Sequence, residues 1–549
     1  MHDELTSRLT HFLVRLISET NGLSIEDTLD LAESSPQLRK DPALSEVIGE
    51  FHMMLGQFHH QSLPIEKLLD HSFSTALAAL FRNFPLPFRD EHVHLTGSLS
   101  ADFVFPRISA LLEGPDRRVY ESKIAEVYGP ASLPISDERA VDRLIRLSGD
   151  EGPEQFRHYL RILYLPKLVL TTRDAHRDAA YHMASRLYRS ANVGALRLKF
   201  TLFRETTESS EQIPGIAALT AEDVVLGLYD GFNAFRREFP RFQFVLSPSF
   251  RKESGFYDAT RYPSRRAHFE DQVRQIISLL DRFPELRDVL TEVDTVGDER
   301  GFYRKAHFQE MRVGMRKLQA YGIRTRSHHG ETWNTLRQGI QAVDNAMNIW
   351  QVEAIEHGLS LGINPNFYYH SMIQRILADN ERGVGIDRTS REHAELMDMD
   401  WTGREEIIDK LIAGTRLTSA EETLATKTKF HHAKEVEQYQ HDVLNRMIDK
   451  RLTLVSLPSS NKKLTGALAD YKDHPFSWWE KKGLRLGVGT DNDVTLNTSF
   501  IREMLILLYT DPQELKITKL LIVTTGNSQR AHLSHLLWQM RKELPDGQR

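Results

Sequence analysis

The sequence contains eight short strand-like runs, most of them separated by stretches with the 3.6-residue period of a helix. Alternation of this kind is typical of repeated strand–helix units and a parallel sheet. Eight units predict an α/β fold, a closed (β/α)8 TIM barrel, whose reactive residues lie at the carboxyl ends of the strands. The runs are His92 to Leu95, Leu196 to Phe203, Phe242 to Ser247, Val289 to Asp294, Ile323 to His328, Gln351 to His357, Leu452 to Leu457 and Leu484 to Thr490.

Two helical segments are predicted beside the barrel strands of residues 88–549. Residues 1–87 are interpreted as a helical N-terminal extension, which ends where Pro85 and Pro87 break the pattern. Residues 364–450 are polar and helix-like, and we interpret them as an insertion in one barrel loop, either a lid or an assembly surface. Both segments offer surfaces for a homo-oligomer. The apolar stripe of the extension consists of Leu5, Leu9, Phe12, Leu13, Leu16 and Ile17.

Composition removes several classes of function. The 549 residues include no cysteine, which excludes disulfide scaffolds, thiolate zinc fingers and cysteine nucleophiles. The net charge is -6 and the basic residues are dispersed, so the chain lacks the electrostatic footprint of a nucleic-acid binder. We find neither a signal-peptide pattern nor a run near the roughly 20 apolar residues that cross a bilayer. A cytoplasmic protein without a membrane partner is expected.

Four strand-like runs end in residues that bind metals or transfer protons. They are His92-Val-His94, His328-His-Gly-Glu331, His357-Gly358 and Thr490-Asp491. Side chains alternate along a strand, so both imidazoles of a His-x-His lie on one face and can share an ion. Each group alone has an ordinary structural role: a strand histidine, a helix N-terminal acid at Glu331, a turn former at Asp491. Their joint occurrence at four strand ends favours a catalytic zinc site, because zinc accepts imidazole and carboxylate ligands.

Read in order, the motifs resemble those of the adenosine deaminase family of metal-dependent hydrolases. The resemblance covers about residues 88 to 540 without the insertion. His92-Val-His94-Leu-Thr-Gly97 resembles His-x-His-Leu-Asp-Gly, and Asp294-Thr-Val-Gly297-Asp-Glu299 resembles Asp-Leu-Ala-Gly-Asp-Glu. His328-His-Gly-Glu331 resembles His-Ala-Gly-Glu, Ala354-Ile-Glu-His357-Gly358 resembles Arg-Ile-Gly-His-Gly, Leu457-Pro-Ser-Ser-Asn461 resembles Cys-Pro-Thr-Ser-Asn, and Thr490-Asp491-Asn492 resembles Thr-Asp-Asp.

The resemblance implies a zinc hydrolase that converts adenosine or an adenine nucleotide to the inosine form with release of ammonia. It implies one zinc ion per subunit with His92, His94, His328 and Asp491 as ligands. Glu331 would give a proton to purine N1, for which it must be partly protonated in a dry site. His357 would take or orient the proton of the attacking water. Catalytic roles are thus expected for Glu331, His357 and Asp491.

Three further positions are expected to bind the substrate. Gly297 would present its backbone N–H to purine N3, where a side chain would block approach. Asn492 stands where the family has a second acid, and its amide can still donate to purine N7. Thr96 replaces an acid that accepts the ribose 5'-hydroxyl. Loss of that negative charge would admit a 5'-phosphate, with Arg251, Lys252, Lys462 and Lys463 either as its partners or as ordinary solvated residues.

Other departures and alternatives stay open. Ala354 lacks the arginine of the family motif, and Glu356 replaces a glycine beside His357. An adenine nucleotide (AMP or ATP) deaminase in bacterial anti-phage defence is one alternative, by analogy with enlarged relatives. Another purine or amidine-like substrate, or a non-catalytic scaffold that retains the deaminase fold, are the others. The pairs His59-His60 and His431-His432 lie in helical stretches without a ligand-like partner and are interpreted as surface residues.

Overall fold

A computed structural model describes residues 2–20, 23–148, 155–202, 213–253, 255–526 and 530–542. Eight parallel strands form one sheet in sequence order, each hydrogen-bonded to the next, which confirms the predicted TIM barrel. Phe203, the predicted end of the second strand, lies outside the described residues. The strands are β1 (Phe88–His94), β2 (Val193–Thr201), β3 (Gln243–Arg251), β4 (Glu292–Val296), β5 (Arg324–His329), β6 (Ala354–His357), β7 (Thr453–Ser456) and β8 (Arg485–Val488).

The ring of strands closes through residues just beyond β8. Asp491 forms a parallel bridge with Val93: the His94 N–H donates to the Asp491 carbonyl at 2.7 Å, and the Asp491 N–H donates to the His92 carbonyl at 2.9 Å. Asp90 supports the same seam, since its buried carboxylate accepts from the Thr490 hydroxyl at 2.6 Å. The first and last barrel strands therefore meet where the predicted metal ligands lie.

Helices fill the intervals between strands. Before β1 lie α1 (His2–Glu19), α2 (Ile25–Ser34), α3 (Pro42–His60), α4 (Ile65–Leu69) and α5 (Ser72–Arg82). Between β1 and β2 lie α6 (Ala101–Glu113), α7 (Arg117–Tyr128), α8 (Glu138–Ile145), α9 (Gln155–Ile162), α10 (Tyr164–Leu168) and α11 (Arg173–Ala191). The next four intervals hold α12 (Pro214–Ala218) with α13 (Ala221–Glu238), then α14 (Arg265–Arg282), α15 (Lys305–Ala320) and α16 (Leu336–Asn345).

Four helices occupy the long interval between β6 and β7, and the chain ends in helices. The interval holds α17 (Pro365–Glu381), α18 (Arg391–Asp398), α19 (Glu405–Ala413) and α20 (Ser419–Asp449). Between β7 and β8 lie α21 (Pro458–Thr465) and α22 (Phe476–Lys481), and after β8 lie α23 (Phe500–Thr510), α24 (Ile517–Thr525) and α25 (Arg530–Lys542). Among the described residues, no helix is long and apolar enough to cross a bilayer.

The N-terminal helices pack onto the C-terminal ones. Leu9, Leu13 and Ile17 of the predicted stripe are fully buried, and α1 packs against α5 and α25. On α3, the His59 ring contacts the Tyr509 carbonyl of α23 at 2.8 Å, so this histidine is part of an interhelical contact rather than a surface residue. The extension is thus fastened to the end of the chain.

The helices between β6 and β7 pack onto the segment that follows β5. Glu395 of α18 is fully buried and accepts hydrogen bonds from the Leu336 N–H at 2.8 Å and from the Tyr368 and Tyr369 hydroxyls. His432 of α20 is only 4% exposed and lies 3.2 Å from the Tyr369 hydroxyl, so its interpretation as a surface residue was wrong. Because α20 is polar in composition, its sequence did not indicate that the face carrying His432 is buried.

Charged side chains fill part of the barrel interior. Lys199 and Glu356 are completely buried, and the Lys199 ammonium lies 3.0 Å from Glu356 and 3.4 Å from Asp294. Arg326, 6% exposed, donates to the same Glu356 carboxylate. A buried charge is tolerated only when it is paired and hydrogen-bonded, and here each interior charge has a partner of opposite sign.

Candidate active site

Three imidazoles converge at the carboxyl ends of β1 and β5. His92 Nε2 lies 3.0 Å from His94 Nε2, which lies 3.3 Å from His328 Nε2. One ligand atom from each of the three histidines lies within 4.8 Å of the other two, as sharing one ion requires. His92 and His94 face the same way because they are two residues apart on a strand.

Carboxylates hold the outer nitrogens of two of these rings. His92 Nδ1 lies 2.8 Å from Glu356 Oε2 in a hydrogen bond, and His328 Nδ1 lies 2.8 Å from Asp294 Oδ2 in an ion-pair contact that is not aligned as a hydrogen bond. A carboxylate that accepts the Nδ1 proton leaves the Nε2 lone pair for a metal, which is the usual environment of a metal-binding histidine. Burial lowers the pKa of His92 to about 4 and also lowers the pKa of His94, which favours the neutral rings.

The convergence of these three rings fits a cation. The three Nε2 atoms lie 3.0 to 3.3 Å apart along the chain of contacts, close enough for their lone pairs to bind one ion together. Asp491 adds a carboxylate, with Oδ1 3.4 Å from His94 Nε2 and 3.7 Å from His92 Nε2. The structure thus brings together all four predicted ligands, and the histidines form a candidate metal site.

The loop after β5 fixes the position of Glu331. Gly330 adopts a left-handed conformation (φ 73°), and the N–H groups of Glu331 and Thr332 each donate to Glu299 Oε1 at 2.6 Å. Glu299 Oε2 accepts from the Gly330 N–H at 3.1 Å and contacts His329 Nδ1 at 2.9 Å. The motif pattern includes Glu299 but does not indicate this role, which only the fold reveals.

Glu331 and His357 face each other beside the histidines. Burial, reinforced by the Asp491 charge, raises the pKa of Glu331 well above its usual value. His357 Nε2 lies 3.7 Å from Glu331 Oε1, and its Nδ1 contacts Asn461 Oδ1 at 3.0 Å. Burial lowers the pKa of His357 to about 3. The pair therefore combines a protonated carboxylic acid with a neutral imidazole.

A cavity of about 520 Å³ opens onto these groups, a volume typical of small-ligand sites. Its wall includes the side chains of His94, His328, Glu331, His357 and Asp491. The cover over the mouth comes from the helices between β1 and β2, through lining residues such as Phe156, Tyr159 and Tyr164. The fully described segment 364–450 contributes no lining residue, so its role as a lid or an assembly surface stays a prediction.

Two of the three predicted substrate residues line the cavity. Thr96 and Gly297 are in its wall. Gly297 has φ 106°, and a Cβ there would lie 2.4 Å from the carboxylate oxygens of Glu253. Asn492 is different: it is fully buried and absent from the wall, and its amide donates to the Tyr159 hydroxyl at 2.5 Å and to Asp491. Tyr159, which no sequence motif indicated, occupies the wall in its place.

Of the four basic residues predicted to bind a phosphate, one lines the cavity and three do not. Arg251 lines the cavity, as do Lys167 and Arg161, which no sequence motif singled out. Lys252 is wrong as a phosphate partner, because it is buried and donates to the His328 carbonyl. Lys462 and Lys463 lie outside the cavity wall, and Lys463 donates to the Leu496 carbonyl at 2.5 Å.

The chain resembles the adenosine deaminase family. No protein-family model and no curated protein matches the sequence. Matching solved structures include an adenine deaminase from Arthrobacter aurescens, with 14% identity over 83% of this chain and 99% of that chain and a TM-score of 0.46. A zinc-bound amidohydrolase from Burkholderia ambifaria matches with 14% identity over 85% of this chain and 94% of that chain and a TM-score of 0.46. An N6-methyl-AMP deaminase from Arabidopsis thaliana also matches, with 13% identity over 84% of this chain and 98% of that chain and a TM-score of 0.44. These similarities concern the fold alone.

Proposed function

We propose that the protein is a zinc-dependent hydrolytic deaminase that converts an adenine nucleoside or nucleotide to the inosine form and ammonia. The observation that carries the proposal is the convergence of His92, His94 and His328 with Asp491 beside a buried acid, Glu331. Three imidazoles and one carboxylate suit zinc, with a position left for water. Zinc held there would lower the pKa of a water ligand to about 7 and so supply hydroxide near neutrality.

The residues of the chain then supply the proton transfers. Glu331, kept protonated by burial, donates to purine N1 as the water oxygen bonds to C6. His357 is neutral and directs Nε2 toward the site, so it accepts the proton of the attacking water. The bond between C6 and the exocyclic nitrogen breaks as this nitrogen gains the proton that His357 accepted, so it leaves as ammonia, and the second proton of the water returns to Glu331. The products are the 6-oxopurine and one ammonia for each water consumed.

Gly297 and Tyr159 are the substrate contacts that the cavity offers. Gly297 has no side chain to block the purine, but the Glu253 carboxylate lies 2.4 Å from where its Cβ would stand, so a purine contact with the Gly297 N–H requires Glu253 to move aside. The Tyr159 hydroxyl accepts from Asn492 and lies in the cavity wall, so it is available to hydrogen-bond the purine edge. An Asn492 contact to purine N7 would require the Tyr159 contact to open.

Cations at the mouth favour a phosphorylated substrate over a nucleoside. Arg251, Arg161 and Lys167 line the cavity, while Thr96 adds no negative charge. Arginine binds phosphate oxygens through two parallel hydrogen bonds, and Arg251 at the end of β3 now makes such bonds to the Glu253 carboxylate at 2.6 to 3.2 Å, so a phosphate would have to displace Glu253. Ammonia release from AMP and ATP should therefore exceed release from adenosine at equal concentration, and a strict nucleoside preference would end this part of the proposal.

The test is ammonia release from a panel of adenine, adenosine, deoxyadenosine, AMP, ATP and adenine-containing RNA by the zinc-loaded protein. Glu331→Gln should lower turnover by about 100-fold or more, because the amide cannot supply a proton, while zinc content is retained. Glu435→Gln, at an exposed acid on α20, is the matched control and should leave turnover unchanged. Zinc binding without release of ammonia from any compound would favour the non-catalytic scaffold.

A further inference from the structure

A second large cavity lies at the opposite end of the barrel. Its volume is about 1070 Å³, roughly twice that of the cavity at the metal ligands. Arg324 and Arg485 are the first residues of β5 and β8, and Arg451 lies two residues before β7. The wall is thus built from the amino ends of strands, the face that in barrels of this type usually serves stability.

The wall of this lower cavity carries an excess of positive charge. Eight of its lining residues are arginine or lysine and four are glutamate, in a chain whose net charge is -6. The inner acids are already paired: Glu91 lies 2.6 Å from Arg197, and Glu292 is bound by the same arginine. At the rim, Lys519 is paired with Glu480 at 2.6 Å.

The remaining cations crowd the rim. Arg485 donates to the Arg451 backbone carbonyl at 3.4 Å, so the Arg485 side chain lies beside residue 451, and Lys450 and Arg451 are both exposed there. Within the part of the chain that the structure describes, Lys450 and Arg451 have no ion pair. A concave, low-dielectric wall with charges of one sign concentrates the field and attracts ligands of the opposite sign.

One buried donor in the floor of the cavity has no partner. Arg326 is 6% exposed and lines the cavity, and its Nη2 is buried without a hydrogen bond to any of the described residues. A buried guanidinium nitrogen without an acceptor costs free energy comparable to a lost hydrogen bond. Because this nitrogen is buried, an anionic oxygen at the floor would reach it only after the Arg326 side chain turned toward the cavity.

We infer that the lower cavity binds a compact oligophosphate, either inorganic or the triphosphate of a nucleotide. Adjacent arginines recognise phosphate oxygens through paired hydrogen bonds, and several phosphates in a row match cations spread from the floor to the rim. The volume accommodates such a ligand with or without a nucleoside. None of the four proposed metal ligands lines this cavity, so oligophosphate binding there does not require deaminase activity.

Calorimetric titration of the full-length protein with sodium tripolyphosphate and with ATP, carried out in the Glu331→Gln form so that heat from ATP turnover does not contribute, tests the inference. Arg451→Gln/Arg485→Gln should weaken binding of both ligands by about tenfold or more, because two charged contacts are lost. Lys434→Gln, at an exposed position on α20, should have no effect. Equal affinity for the two ligands would identify the phosphates as the recognised part, whereas tighter binding of ATP would add a nucleoside contact.

Two comparisons distinguish the lower cavity from the active-site mouth and from the bound metal. Arg251→Ala weakens any binding at the active-site mouth, so loss of both ligands in this variant, with the rim variant unaffected, would overturn the inference. A calorimetric signal of equal size in all variants, as chelation of the bound metal would give, would also overturn the inference. So would displacement of the bound tripolyphosphate or ATP by an equal ionic strength of sulfate. If the double variant does not fold by circular dichroism, Lys450→Gln replaces it, with an expected weakening of about threefold.

Discussion

Glu356 should determine how tightly His92 binds the metal. Its carboxylate is fully buried and lies 2.8 Å from His92 Nδ1 and 3.0 Å from the Lys199 ammonium, and it also accepts from Arg326. We predict that Glu356→Gln weakens zinc affinity by about tenfold, the lower end of the range for loss of such an outer contact. The lower end applies because the amide oxygen can still accept the Nδ1 proton while no longer raising the basicity of the ring.

The same substitution should destabilise the metal-free protein. It leaves Lys199 with Asp294 at 3.4 Å, and Arg326 with Glu91 and Glu292 at 3.8 Å each. Because these acids remain, the cost should be near about 3 kcal/mol, the lower end for breaking a buried ion pair. Urea denaturation of the metal-free protein measures this cost, and competition with a chromogenic chelator measures zinc affinity.

Glu395→Gln is the matched control for this experiment. Glu395 is equally buried and hydrogen-bonded, but its partners are Leu336, Tyr368 and Tyr369 rather than a metal ligand. It should lower stability and leave zinc affinity unchanged. The reasoning is refuted if Glu356→Gln keeps its zinc affinity within twofold of the parent, or if the control loses as much affinity as Glu356→Gln does.

Three more measurements test neighbouring contacts. Asp294→Asn, which alters the group 2.8 Å from His328 Nδ1, should weaken zinc affinity by about 10-fold to 100-fold in the chelator assay, and unchanged affinity would contradict the role given to this contact. Gly297→Ala should reduce turnover and cost about 1–3 kcal/mol of stability, because φ is 106° and the added Cβ meets Glu253; a variant with parent-like turnover and urea midpoint would rule this out. Burial raises the pKa of Glu395 to about 7, so the folded protein holds a proton that the unfolded chain releases near pH 4.5. The free energy of unfolding should therefore fall by up to about 3 kcal/mol as the pH rises from about 4.5 to 7. Urea denaturation across this range should give a flatter profile for Glu395→Gln, and parallel profiles would disprove the assignment.

The barrel could be predicted because its signals are local. Each strand is a short apolar run, and the ligands lie at strand ends, so periodicity alone indicated the eight strands to within a few residues at most ends. The parallel order then brings distant ends together. His92 and His328 are 236 positions apart, yet strand order and direction suffice to place both at one mouth.

The supporting contacts could not be predicted because they join residues far apart in sequence. Glu356 looked like a departure from the family motif, but it holds His92, 264 positions away. Lys252 looked like a phosphate partner because it is charged, and only the fold reveals that its ammonium is buried under the His328 carbonyl. Asn492 looked like a substrate contact, but Tyr159, on a helix between β1 and β2, takes its amide. A sequence pattern predicts on which face of a strand or helix a side chain lies. It does not predict which of several possible partners that side chain contacts.

The seam at Asp491 joins two properties that are usually separate. Its backbone completes the ring between β1 and the end of β8, while its carboxylate lies beside the histidine nitrogens. If the barrel opened between β1 and residue 491, the Asp491 carboxylate would move away from the three histidines. A metal ion bound by all four side chains would therefore stabilise the closed barrel. Extraction of the ion should therefore first loosen the circumference of the barrel, at amides 92 to 94 and 491, before it loosens the helices outside.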